Sequence, residues 1–169
     1  MTDRLVDFRL PARFIGQKVL LTPAELRWGY DNLWVEAEDV VALTLTSVVA
    51  DPEPLAAVEE LSLLLSDELD RVPELIGCLT PDPEPVWMYL TTEWVVEHPA
   101  DFAGAPLETV EQLYTDFGYP AEMEGFITYM PTPPGGTPGI DGLWERLREF
   151  LAAGTARFGS ARRPGGSAG

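Results

Sequence analysis

The chain has one cysteine, Cys78, and one histidine, His98, among its 169 residues. A single cysteine excludes an intramolecular disulfide and points to a reducing compartment, the cytoplasm. One cysteine and one histidine cannot supply the usual zinc sites. A Ser-His-Asp or Cys-His mechanism would have only His98 as its base. That residue stands at the end of a predicted helix, just before Pro99, where histidine commonly answers free carbonyls. Cys78 lies in Leu75-Ile76-Gly77-Cys78-Leu79, an apolar setting that predicts a buried, inert thiol. Long apolar runs are missing too. No stretch approaches the roughly 20 residues of a membrane span, and the longest, Val40 to Ala50, reads as a core helix. Charges at Asp3, Arg4, Asp7, Arg9 and Arg13 break up the N-terminus, so no signal peptide is expected there.

Basic residues are scarce. Eleven stand against 28 acidic ones, for a net charge of -17. Between Trp28 and Glu145 only Arg71 is basic, against 24 Asp and Glu. Such a body repels phosphate backbones and anionic membranes, so neither nucleic acid nor a membrane is an expected partner. A basic protein would be steered in, faster at low salt. The same charge also serves solubility alone.

Strand signals are few as well. Arg13 to Leu21 is the best candidate for one short strand. The 16 prolines, about twice the average frequency of roughly 5%, fall instead where first helical turns begin. Thr22-Pro23-Ala24-Glu25 predicts a capping box and a helix to about Leu33, with Leu26, Tyr30 and Leu33 on its inner stripe. Further helices are expected from Glu36 to Ala50 (largely enclosed), from Asp51 with Leu55, Val58, Leu61 and Leu65 inward, and from Ser66 toward Leu79. A stiff connector, Thr80 to Pro85, precedes an apolar helix from Val86 to Glu97. Pro106 starts another that Gly118 stops. Tyr119-Pro120 turns into one ending near Met130, and Leu143 to Phe158 forms the last. The predicted fold is therefore all-α, a compact bundle of about seven to nine short helices with at most one short N-terminal strand. Residues 1–21 form an N-terminal segment, 22–158 a single helical domain, and 159–169 a disordered tail.

Carboxylates are numerous enough to fall at suggestive spacings. Glu93 and Glu97 are four apart, but a di-iron bundle needs Glu-x-x-His and the residue three before His98 is Val95. Glu108 and Glu111 favour a helix start, and Asp82 and Glu84 between prolines are no calcium loop. No metal ion, cofactor or catalytic residue is implied. Aromatic and acidic residues mix at Trp28 to Glu38 and again at Tyr114, Asp116, Phe117, Tyr119, Glu122, Glu124 and Tyr129. Tyrosine beside carboxylate suits recognition of Arg and Lys; the plainer reading is core aromatics with solvated acids between them.

The segments Leu26-Arg27-Trp28-Gly29-Tyr30, Trp87-Met88-Tyr89-Leu90, Asp116-Phe117-Gly118-Tyr119-Pro120 and Tyr129-Met130-Pro131 resemble a bacterial family, the domain of unknown function numbered 2247. The resemblance covers about Thr22 to Phe158. It brings no established activity; its members resemble, in size and composition, immunity proteins that neutralise toxins. The expected function is thus a cytoplasmic, non-enzymatic protein that binds a basic partner, such as a toxin domain. The expected binding residues are Asp116, Tyr119, Glu122, Glu124 and Tyr129, with Asp31 and Trp34 a second set. A metal-dependent enzyme using Glu93 and Glu97, or a housekeeping scaffold, are the alternatives.

Overall fold

Pro11 precedes the first helix, and the free amide behind it is answered from 27 residues away: Asp39 Oδ1 accepts from Ala12 N at 3.1 Å. The second oxygen of that carboxylate accepts from Glu36 N, also at 3.1 Å, just ahead of a later helix. One side chain therefore satisfies orphan amides at two helix starts. The computed structural model describes residues 5–6, 8–46, 48, 55–79, 85–103 and 105–159. Along them run α1 (Ala12–Lys18), α2 (Pro23–Asp31), α3 (Ala37–Thr46), α4 (Leu55–Leu63), α5 (Val72–Ile76), α6 (Pro85–Glu97), α7 (Pro106–Asp116) and α8 (Gly139–Phe158). Short 3-10 helices occupy Leu69–Arg71, Pro99–Phe102 and Ala121–Phe126. The protein is all-α. The only β pairing among the described residues is an isolated parallel bridge between Leu21 and Val48.

Two compact units divide the described residues, one built from those within Phe8–Val86 and from Thr155 to Gly159, the other from those within Trp87–Gly154 with Leu5 and Val6. In the first unit α3 is the hub, packing on α1, α2, α4, α5 and the Leu69–Arg71 turn. Val40 and Leu43 on its inner face are fully buried. Its outer face is not: Ala42, Leu45 and Thr46 are exposed, so the expected enclosure of this helix does not hold. The stretch expected as a strand, Arg13 to Leu21, is mostly α1, because the Asp39 cap and the burial of Phe14 and Ile15 outweigh a weak local β preference.

The capping box of α2 is present, with Thr22 Oγ1 accepting from Glu25 N at 3.1 Å and Glu25 Oε1 accepting from Thr22 N at 3.4 Å. Leu33 then takes a left-handed conformation, φ +64. This reversal turns the Leu33 side chain outward and sends Trp34 into the core, 1% exposed, its ring centroid 5.3 Å from that of Phe8. The predicted stripe is therefore right at Leu26 and wrong at Leu33. Arg27 spans outward from the same helix, pairing with Asp31 and donating to the carbonyls of Gly77 and Leu79 beyond α5. A cation beside those C-terminal carbonyls is favourable. Cys78, between them, is exposed rather than buried. On the next segment Leu61 is buried as expected but Leu65 faces solvent. The expected start at Asp51, the Thr80 to Glu84 connector and the tail from Ser160 lie outside the described residues.

In the second unit α6 takes the enclosed position. Trp87, Met88, Tyr89, Leu90, Thr91, Thr92 and Val95 are all buried, which covers every face of the helix. Its neighbour α8 begins four residues earlier than the sequence suggests and comes close at Gly154, where an added Cβ would lie 2.3 Å from Tyr89 Cδ2. Arg146 on α8 donates to the carbonyls of Gly125 and Thr137, fastening the Ala121–Phe126 turn and the Pro/Gly loop. His98 closes α6 as expected of its position: Nδ1 lies 2.9 Å from Trp94 O and its ring stacks on Trp94.

Thr91 satisfies its hydroxyl on Trp87 O at 2.7 Å, but the buried Thr92 Oγ1 has no partner among the described residues. A buried hydroxyl without a partner costs free energy that an isosteric methyl does not. Thr92→Val should raise stability by about 1 kcal/mol in urea unfolding. A loss of similar size would show that the hydroxyl is satisfied.

Candidate functional site

The apolar stripe of α7 runs to its last turn, where Val110, Leu113 and Tyr114 are buried. Past Asp116 the helix must satisfy its final carbonyls. Gly118 N donates to Thr115 O at 3.0 Å and Tyr119 N to Tyr114 O at 2.8 Å, the Schellman arrangement. Gly118, with no Cβ to clash, supplies the left-handed residue at φ +78, and Tyr119 follows at φ +63. A bulky residue held there, directly before a proline, costs about 1–3 kcal/mol. The ring of Tyr119 helps to offset that cost by meeting Tyr114 edge-on, with centroids 5.3 Å apart and planes at 81°.

Tyr129 joins the same group. The Ala121–Phe126 turn anchors Met123 and Phe126 inside the unit. Just beyond it, the backbone amide (3.1 Å) and the hydroxyl of Thr128 both donate to Glu111 Oε1 on α7. The Tyr129 ring then lies 6.4 Å from that of Tyr114, tilted by 57°. Tyr114 is 4% exposed, whereas Tyr119 is 59% and Tyr129 61% exposed. Two tyrosines thus sit in solvent on a buried third. Glu122 and Glu124 are exposed on the intervening turn, and neither carboxylate pairs with a cation among the described residues. Burial pushes the Tyr114 phenol above its ordinary value, and the charge of Glu124 and the phenols of Tyr129 and Tyr119 push the same way.

Tyr119 and Tyr129 both meet the Tyr114 ring, Glu124 lies close enough to act on its phenol, and Glu122 is exposed on the turn between them. Asp116 belongs to the same helix end, but its carboxylate is occupied, accepting from Leu5 N at 2.8 Å and Val6 N at 3.1 Å. Asp31 is in the other unit. It pairs with Arg27 at 3.2 Å and edges a shallow recess of about 450 Å³ shared with Arg9, Tyr30, Leu33 and Glu36. Trp34 is a core side chain and is withdrawn as a contact residue. Two contributors were missed. Tyr114 reads from the sequence as ordinary core, which it is, while also being the seat of the exposed pair. Glu111 gives no sequence signal, since its partner is 17 residues away.

For the metal alternative, Glu93 is half-buried and Glu97 exposed. No group of three or more His, Cys, Asp or Glu among the described residues is placed to hold a metal ion. No helix among them is long and apolar enough to cross a membrane.

The raised phenol of Tyr114 has a consequence for pH. Its folded value lies above the unfolded one, near 10, so the folded state holds the proton more tightly. That contribution to stability is complete below about pH 10 and is lost as pH rises through the folded value. Glu124→Gln removes one of the charges responsible and should lower the Tyr114 value, as read by NMR titration of labelled tyrosine rings. An unchanged titration would separate Glu124 from the tyrosine group.

A family model described as "Uncharacterized protein conserved in bacteria (DUF2247)" matches residues 12–155. No curated protein and no solved structure matches the chain. The matched span takes in all of α1 to α7 and most of α8, together with the tyrosine surface. The chain belongs to this bacterial family.

Proposed function

We propose that the chain is a stoichiometric binding protein of the bacterial cytoplasm. It docks the surface of Tyr119, Tyr129, Glu122 and Glu124 onto a basic protein and blocks it, as an immunity protein blocks a toxin domain. The observation that carries this reading is the pair of exposed tyrosines whose rings meet buried Tyr114, with two exposed glutamates on the turn between them. Tyrosine offers large contact area at small loss of side-chain freedom, and such residues recur among those that dominate binding energy. The acidic surplus between Trp28 and Glu145 adds long-range attraction for a cationic partner. Occupying the partner's own anion-binding cleft would suffice to inhibit it, with no chemistry on this side.

Charge reversal tests the surface. Glu122→Lys with Glu124→Lys should weaken binding to the partner isolated from the native host, chiefly by slowing association about tenfold at low salt. The deficit should shrink as salt shortens the range of the field to roughly 8–10 Å. Unchanged association in the double variant removes this surface from the binding site.

A further inference from the structure

A field of negative charge attracts any cation, and charge alone does not distinguish lysine from arginine. The surface around Tyr119 and Tyr129 does more than carry charge. Of the nearby carboxylates, Glu111 is committed to Thr128 and Asp116 to the amides of Leu5 and Val6. The acids left to solvent are Glu122 and Glu124. A side chain arriving here meets two exposed aromatic rings, with Glu124 close enough to act on the Tyr114 phenol beneath them and Glu122 on the same turn. The Tyr119 backbone is tied to Tyr114 O, and its ring meets the Tyr114 ring edge-on. The Tyr129 segment is fixed through its neighbour Thr128.

We infer that this surface selects arginine over lysine side chains of a protein partner, stacking the guanidinium plane on Tyr119 or Tyr129 and pairing its edge with Glu122 or Glu124. The inference rests on the binding role proposed above. A guanidinium group is planar and weakly hydrated, so it lies on a ring face while its N–H edge still reaches a carboxylate in fork geometry. An ammonium group is compact and strongly hydrated, with its donors pointing in three directions. At an exposed site it keeps its water and gains little from the ring. A guanidinium stacked at such exposure gains about threefold in affinity, which a hydrated ammonium forgoes.

The test uses the intact chain and two capped, flexible peptides that differ only in carrying one arginine or one lysine. Binding is followed through the ring resonances of Tyr119 and Tyr129. The expected result is affinity about threefold higher for the arginine peptide, with those resonances shifting. The preference should vanish in the Tyr119→Leu, Tyr129→Leu double variant, which keeps apolar bulk but removes the ring faces. Leucine is suited to position 119, since Leu33 already adopts the same left-handed conformation at the end of α2. Equal affinity for both peptides, falling with salt, would overturn the selectivity while leaving the acidic docking surface in place. Failure of the Glu122→Lys, Glu124→Lys variant to weaken either peptide would count against the docking surface itself.

Discussion

A helix that ends must satisfy its last carbonyls, and two helices of this chain do so with the same left-handed reversal. At the end of α2 the reversal runs through Leu33, with Trp34 N donating to Gly29 O at 2.9 Å. At the end of α7 it runs through Gly118, with Tyr119 N donating to Tyr114 O. Each closure throws an aromatic residue out of the helix line. Trp34 is thrown into the core of the first unit, where it packs with Phe8 and its carbonyl accepts from Leu10 N at 2.8 Å. Tyr119 is thrown into solvent beside Tyr129. The same backbone device builds a core in one place and the candidate binding surface in the other, and the strain at Leu33 and Tyr119 is tolerated because the surrounding bonds fix both.

The scarcity of cations shapes the rest. Arg27 and Arg146 are not spread over the surface to balance charge; each donates to two backbone carbonyls and fastens one segment to another. Many carboxylates are likewise structural. Asp39 starts two helices, Glu25 completes a capping box, Glu111 holds Thr128, and Asp116 holds the amides of Leu5 and Val6. The acidic surplus is thus partly a supply of acceptors for backbone amides that no helix satisfies. Glu122 and Glu124 stand apart from that supply. Their exposure beside fixed tyrosines, more than the total charge, marks this face of the second unit.

Where structure follows from neighbours in the chain, it was legible. The α2 cap, the proline start of α7, the histidine at the end of α6 and the glycine stop at position 118 each depend on residues within a turn or two. Tyr119 and Tyr129 come near one another because a tight reversal and a short 3-10 turn connect them. Where structure depends on distant partners, it was not. The Asp39 cap comes from 27 residues away and turns an expected strand into α1. Leucine does not announce a left-handed conformation as glycine does, so the burial of Trp34 was invisible. Apolar content predicted enclosure for α3, and only packing decides that the first turns of α6, Val86 to Thr92, are the ones buried all round. Cys78 misled for the same reason, as its apolar neighbours turn inward and leave it outside.

The proposed binding role requires a partner to cover the tyrosine surface of the second unit. Amide hydrogen exchange, compared between the free chain and its complex with the basic protein retained from the native host, reads this most directly. Slowed exchange concentrated in residues 115–130, with little change in the first unit, is the predicted result. Protection confined to other segments, with 115–130 exchanging as in the free chain, would contradict it.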